Sequence, residues 1–374
     1  MKIVADHHIP YVKEYFGEVG ELILKPGRRI SPDDVKDADI LLVRSITPVN
    51  EKLLAGSRVR FVGSVTAGAD HLETKWLEAA GIDYSVASGF NAPPVADYVV
   101  SVVAALQRKG LLLQPRKKAA VIGVGQVGRL VAERLKLLNF DVVLCDPFRA
   151  EAESDFVSTP MEELSDLNLI TLHVPLHRHG AYPTRHFIEK DFLQRQKLGC
   201  VLINASRGAV IDSEALLQYG THLHWCFDVW EHEPEINKII LEQAFLATPH
   251  IAGYSVQSKM RGIEMIYRIA CEKQIIQPLS PPSLVMPHQA LSFAGHQHHW
   301  QDIVLGIFNP IVMTAMMRTT LLPASECGVL FDEMRNQFTY RHEFGFTQVV
   351  VEEWLEEDRG VLERLGVRVD QKPS

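Results

Sequence analysis

Short apolar runs and helical patterns alternate along the first part of the chain. Lys2–Ala5, Ile40–Val43, Arg60–Gly63 and Asp83–Ser85 have strand length, and Val12–Gly17, Lys52–Leu54 and Thr74–Ala80 carry helical spacing between them. Strands separated by helices build a parallel sheet with crossover connections. Ala92–Lys109 is a longer apolar helix whose Pro93 and Pro94 suit a first turn, where a missing N–H breaks no helical bond. It is placed to join two domains. The polar break Gln114-Pro115-Arg116-Lys117-Lys118 ends it, and Ala119-Ala120-Val121-Ile122-Gly123 opens a fresh buried strand and a second α/β unit that runs to about Gly253. Past residue 275 the character changes: Gln277-Pro278-Leu279-Ser280-Pro281-Pro282 is linker-like, Thr347–Val351 reads as a strand, and Trp354–Leu365 reads as a charged amphipathic helix. The boundaries expected are 1–95 with a returning segment 257–280, then 96–256, then 281–374.

Length agrees with that division, since 374 residues exceed what one hydrophobic core usually holds. Hydrophobic residues at 47% and charged residues at 22% are ordinary for globular domains and exclude a disordered chain. The formal net charge of −8 has the wrong sign for a protein that neutralises nucleic-acid phosphates. Cys145, Cys200, Cys226, Cys271 and Cys327 are scattered, with no CxxC pair, and read as reduced, mostly buried thiols. No signal-type apolar segment and no membrane-length apolar run is seen, so a cytoplasmic location and no membrane partner are expected.

The sharpest local signal is Gly123-Val124-Gly125-Gln126-Val127-Gly128, a GxGxxG at a strand end with helical periodicity after it. Gly123 permits the tight turn, Gly125 lets the backbone approach a pyrophosphate, and Gly128 lets helix and strand pack. The helix N-terminus faces the anion. A second strand, Asp141–Cys145, ends in Asp146, 18 residues beyond Gly128, where an acid that binds the adenosine ribose is expected. A carboxylate there repels a 2′-phosphate, so NAD is favoured over NADP; Arg149 nearby is the one feature against. The fold class is therefore α/β: two doubly wound Rossmann-like domains, one for NAD and one for substrate, plus a C-terminal α+β domain.

Three later segments place a charged or polar residue just beyond an apolar run, where open α/β sheets bind ligands. Val201–Asn204 leads to Arg207, Trp225–Phe227 leads to Asp228 and Glu233, and Ala247-Thr248-Pro249 leads to His250. Moving a hydride from a secondary alcohol needs a base for the hydroxyl proton, a cation for a neighbouring carboxylate, and a carboxylate to tune the base. His250, Arg207 and Glu233 supply those types. Taken singly, each has a plainer account as a turn cap, a solvated loop charge or a satisfied imidazole.

Together these segments resemble the D-isomer-specific 2-hydroxyacid dehydrogenases. The resemblance is carried by Leu42-Val43-Arg44-Ser45-Ile46-Thr47, Phe61–His71, Ser206-Arg207-Gly208-Ala209-Val210 and Thr248–Tyr254. The short link Leu111–Lys118, the run Glu231–Asn237, Tyr254 and the C-terminal module resemble a narrower branch acting on a phosphorylated hydroxyacid. The resemblance implies oxidation of 4-phospho-D-erythronate with NAD reduced, a step toward pyridoxal phosphate. It implies catalytic roles for Arg207, Glu233 and His250, the last moving the proton. It implies substrate contacts from Ser45, Thr66 and Tyr254. On the cofactor side it implies Gly123, Gly125, Gln126, Val127, Gly128, Asp146, Val174, Ala205, Ser206, Arg207, Asp228 and Gly253. By the same analogy the C-terminal domain forms a homodimer. The substrate phosphate needs its own cation, for which Arg44 and Arg341 are candidates by charge alone.

Two other readings stay open. A phosphoglycerate or other D-2-hydroxyacid dehydrogenase would share every catalytic residue. A non-catalytic NAD-sensing protein would share the glycine turn, though it has no use for a proton relay. His7-His8 and Gly295-His296-Gln297-His298-His299-Trp300 invite a metal reading, but none is expected, because hydride transfer to NAD needs no metal.

Overall fold

The structure is a computed structural model that describes residues 1–277, 284–294, 298–339, 341–352 and 355–371. The chain divides into two compact units, Met1–Asn91 with Ser255–Pro287, and Ala92–Tyr254 with His288–Ser374. Of the expected linker Gln277–Pro282, all but Gln277 lies outside the described residues.

The first unit is a five-stranded sheet of β1 (Lys2–Asp6), β2 (Glu21–Lys25), β3 (Ile40–Val43), β4 (Phe61–Ser64) and β5 (Asp83–Val86). Every pairing is parallel and the order is β2-β1-β3-β4-β5. β3 and β4 are buried at every position, as central strands covered on both faces must be. The edge strand β2 is not expected from the pattern; its Glu21 is exposed and its other residues are only half-buried, so it lacks the fully apolar signature. The helix Val256–Glu272 completes this unit. Gly63 makes room for it, since a Cβ there would meet the Ile266 side chain at 2.6 Å. Tyr267 on that helix packs its ring against Tyr15 and Phe16, each 5.5 Å away between centroids.

The second unit holds a six-stranded parallel sheet of β6 (Lys117–Ile122), β7 (Phe140–Cys145), β8 (Leu169–Leu172), β9 (Val201–Asn204), β10 (His224–Phe227) and β11 (Leu246–Ala247). Its order is β11-β10-β9-β8-β6-β7, so the topology reverses between β6 and β8. The helix Ala92–Arg108, with Pro93 and Pro94 in its first turn, is buried over most of its length beneath this sheet. Five cysteines are free, four of them buried and Cys271 intermediate.

The tail adds a three-stranded parallel sheet, β12 (Gln289–Phe293), β13 (Thr347–Val351) and β14 (Arg368–Gln371), in the order β12-β13-β14. The expected last helix spans Glu356–Leu365, and Glu353 and Trp354 lie outside the described residues. Specific polar contacts hold the tail within the second unit, against its Ala92–Tyr254 part. The Phe344 N–H donates to Asp97 Oδ2 at 2.9 Å, and the Ala247 N–H donates to Thr314 Oγ1 at 2.8 Å. Burial raises the Asp97 carboxyl to about 6 despite Arg134 beside it. Among the described residues no single helix is long and apolar enough to cross a membrane.

Candidate active site

Ligands of doubly wound sheets bind where the strand order reverses, beyond the carboxyl ends of the strands. Here that point lies between β6, which runs into the glycine turn, and β8, which is followed by His173 and Val174. Gly123 has φ +84°, a left-handed conformation that excludes most side chains, and a Cβ there would meet the His173 backbone at 2.7 Å. A Cβ on Gly128 would collide with the Gly123 carbonyl oxygen, whereas one on Gly125 would meet nothing within 4 Å. Gly128 thus serves packing, and Gly125 leaves open the space a pyrophosphate needs. The helix Gln126–Leu137 starts there, with Gln126 and Val127 in its first turn. A cavity of about 690 Å³ opens at this point, lined among others by Gly123, Gly125, Asp146, Arg149 and Val174. Asp146 accepts the Val124 N–H at 2.8 Å and the Arg149 N–H at 3.1 Å, which fixes its carboxylate at the cavity wall. Arg149 donates to Glu153 Oε1 at 2.8 Å and to the Val124 carbonyl at 2.9 Å, so its charge already has a carboxylate partner. Behind the turn, burial holds the His173 imidazole neutral, with its pKa down to about 3.

The carboxyl ends of β9, β10 and β11 bring the catalytic candidates together. Glu233 Oε2 and His250 Nδ1 lie 2.7 Å apart, and Glu233 Oε1 accepts the Trp230 N–H at 2.8 Å. Burial pushes the Glu233 carboxyl up, but His250 and the neighbouring Arg335 outweigh it and hold the group below its ordinary value. His250 sits in the left-handed region at φ +57°, sparsely populated for a residue with a side chain. Asp228, 1% exposed, holds that turn in place: its carboxylate accepts Thr248 Oγ1 at 2.6 Å, the Ile251 N–H at 2.8 Å and the Ala252 N–H at 2.9 Å. Its backbone carbonyl accepts the His250 N–H at 2.7 Å. With Nδ1 used by Glu233, Nε2 is the nitrogen left to a substrate hydroxyl.

Arg207 follows β9 beyond Ala205 and Ser206, and Asn204 shapes the turn by accepting Ser206 Oγ at 2.9 Å and donating to the Arg207 carbonyl at 2.9 Å. Gly208 has no room for a Cβ, which would collide with the Trp230–Glu231 backbone. The Arg207 turn therefore lies directly on the turn that carries Glu233. A second histidine–glutamate pair braces the same place: His186 Nε2 lies 2.6 Å from Glu231 Oε1, and Ser213 Oγ donates to Glu231 Oε2 at 2.7 Å. Tyr254, four residues past His250, accepts a hydrogen bond from Arg335 Nε at 3.0 Å. Sequence reasoning missed Arg335. It lies on the helix Gly328–Gln337, 81 residues beyond Tyr254, with no motif around it.

Comparison with known proteins agrees with this geometry. The family described as D-isomer specific 2-hydroxyacid dehydrogenase, NAD binding domain, matches residues 105–252. An erythronate-4-phosphate dehydrogenase of Coxiella burnetii (strain RSA 331 / Henzerling II) is 44% identical over 93% of this chain and 95% of its own. That of Marinobacter nauticus is 41% identical over 92% of this chain and 93% of its own. This chain belongs to the erythronate-4-phosphate dehydrogenase family. It is accordingly an NAD-dependent oxidoreductase. A solved NAD-bound 3-phosphoglycerate dehydrogenase from Entamoeba histolytica, 22% identical, shares the fold with a TM-score of 0.61 over 73% of this chain and 95% of that one.

In the other unit, two residues that the family resemblance marks for substrate contact follow neighbouring parallel strands: Ser45 lies beyond β3 and Thr66 beyond β4. Thr66 Oγ1 donates to the Gly68 carbonyl at 2.8 Å and lies 2.8 Å from Ser64 Oγ. The two charge-based phosphate candidates are both engaged. Arg44 Nε donates to the buried Asp6 Oδ2 at 2.7 Å. Arg341, 6% exposed, donates to the backbone carbonyls of Pro94 and Ala252, the latter at 2.8 Å, and burial lowers its basicity. Of the two histidine tracts that invite a metal reading, His7 and His8 bring their ligand atoms within 4.8 Å of each other and of Asp6, whose carboxylate the sequence reading did not include. Asp6 is already paired with Arg44 there. Of the second histidine tract, Gly295, His296 and Gln297 lie outside the described residues.

Proposed function

We propose that this protein oxidises 4-phospho-D-erythronate to (R)-3-hydroxy-2-oxo-4-phosphooxybutanoate with NAD as acceptor, a step toward pyridoxal phosphate. The observation that carries the reading is the 2.7 Å contact between His250 Nδ1 and Glu233, with the Arg207 turn packed on the same loop. NAD, when bound, supplies the hydride acceptor. The glycine turn, Gln126 and Val127 would hold its pyrophosphate, Asp146 its adenosine ribose, and Val174, Ala205, Ser206, Asp228 and Gly253 the nicotinamide end. Arg207 binds the substrate carboxylate and polarises the C2–O bond. His250 Nε2 removes the hydroxyl proton as hydride leaves C2, and Glu233 stabilises the imidazolium that results. Positioned proton transfer of this kind contributes about 10²–10⁴-fold to rate. Ser45, Thr66 and Tyr254 contribute further substrate contacts.

The test is NADH formation on mixing the protein and NAD with 4-phosphoerythronate or 3-phosphoglycerate, with added 2-oxoacid in case bound NADH stalls turnover. Preference for phosphoerythronate, lost in His250→Ala, is the expected result. Activity on phosphoglycerate alone would keep the mechanism and replace the substrate.

The same proposal includes a cytoplasmic homodimer formed through residues 281–374. Val312 and Met316, four apart on the helix Pro310–Leu321, are 54% and 49% exposed, an apolar face that a second copy would cover. A monomer in light scattering at micromolar concentration would contradict the dimer.

A further inference from the structure

We propose that Arg335 is the cation that receives the substrate's phosphate, an assignment that rests on the reading of the substrate as a 4-phosphorylated hydroxyacid. A phosphate in a partly water-excluded site needs a fixed donor, and the planar guanidinium fork matches its oxygens. Arg207 is assigned to the carboxylate at the other end of the molecule, Arg44 is paired with Asp6, and Arg341 is engaged by backbone carbonyls. Arg335 differs from all three. Its Nε is held by the Tyr254 hydroxyl, with the guanidinium 5.8 Å from the ring centroid. Glu233 lies near enough to act on it, but both Glu233 oxygens accept from other groups, one facing His250 and the other taking the Trp230 N–H. Asp332 also acts on it electrostatically. Among the described residues no carboxylate is hydrogen-bonded to Arg335.

Burial of the guanidinium opposes its charge, yet Tyr254 and Glu233 keep it protonated. A partly buried cation without a hydrogen-bonded counter-ion is an arrangement completed by an anionic ligand. Its place fits as well. Tyr254 follows His250 by four residues and holds Arg335 by its hydroxyl, and Arg335 acts on the Glu233 that meets His250, so the cation stands on the His250 side of the site. The substrate's C2 hydroxyl goes to His250, so its C4 phosphate reaches for the Tyr254 side. On this account the tail, besides its own sheet, supplies substrate specificity.

The experiment compares kcat/KM for 4-phospho-D-erythronate and for D-erythronate, which lacks only the phosphate, in the wild type, Arg335→Met, Arg335→Lys and a control, Arg359→Met. Arg359 pairs with Glu363 on the exposed face of the tail, so its loss removes a tail charge elsewhere. The preference for the phosphorylated acid should fall about 30-fold or more in Arg335→Met, mostly through KM, with partial rescue in Arg335→Lys and no change in the control. Inorganic phosphate should inhibit the wild type competitively and lose that effect in Arg335→Met. Unchanged NAD binding by fluorescence titration reports that the variants are folded. An equal loss on both substrates, or a shifted pH profile with unchanged KM, would overturn the assignment and place Arg335 behind Glu233 instead. A wild type that does not prefer the phosphorylated acid would sink the substrate reading itself. The inorganic-phosphate comparison would then still judge Arg335, and equal inhibition of wild type and variant would overturn it.

Discussion

Two histidine–glutamate pairs reach one turn through glutamates two residues apart, and they differ in which imidazole nitrogen each leaves open. His250 meets Glu233 at 2.7 Å and His186 meets Glu231 at 2.6 Å. Their histidine exposures, 30% and 28% of the side chain, are almost equal. The difference lies in which nitrogen is used and what the carboxylate does with its second oxygen. His250 turns Nδ1 to its glutamate and leaves Nε2 for a reactant, at the carboxyl end of the sheet beside the Arg207 turn. His186 turns Nε2 to Glu231, whose other oxygen takes the Ser213 hydroxyl, so three segments of chain are clamped together. Pair distance is therefore no signature of a general base. Position relative to the sheet edge and an available nitrogen are what distinguish it.

The largest test of the contrast is direct. His250→Ala should lower kcat by about 10²–10⁴-fold in steady-state NADH assays, while His186→Ala stays within about threefold of wild type. Equal losses would erase the distinction. Next in size, Glu233→Gln should lower kcat by about 10–100-fold, because the imidazolium loses its counter-charge. The same change should move the acid limb of the kcat/KM profile to lower pH, and Glu231→Gln should leave that limb in place.

The structural pair shows itself in stability instead. Glu231→Gln or Ser213→Ala should destabilise the protein by about 1.5–3 kcal/mol in urea titrations, the range for hydrogen bonds to a charged group. The smallest effect concerns pH. Burial pushes the Glu231 carboxyl up, but Ser213 and His186 more than offset it and hold it below the ordinary value, as His250 does for Glu233. A depressed carboxylate contributes stability that is fully present above its unfolded pKa and is lost as pH falls through the folded one. The urea midpoint should accordingly drop below about pH 4.5, and Glu231→Gln should flatten that drop. An unaltered acid profile in the variant would mean the clamp contributes nothing through its charge.

Much of this is legible in the order of residues. The glycine turn, Asp146 and the strand-end positions of Arg207, Glu233 and His250 follow from local rules, because a parallel strand, its turn and its helix are contiguous in sequence. The edge strand β2 and the tail strands β12 and β14 leave no such mark, since a strand without a continuous apolar run has no strand signature in the pattern. In Glu231-His232-Glu233, residue types and spacing show that acids stand beyond β10, but the partner of each is set by where the chain returns from distant segments. Glu231 meets a histidine 45 residues away, and Glu233 meets one 17 residues away. The same holds for Arg335, Arg341 and Arg44, three equal charges on paper. The α/β architecture, the nucleotide turn and the residue types at three strand ends are all local features, legible in the order of residues. Long-range packing alone settles which histidine Glu231 meets, which arginines are engaged by Asp6 or by backbone carbonyls, and which one the tail brings to Tyr254. Those choices depend on contacts between residues far apart in the chain, and local pattern carries no record of them.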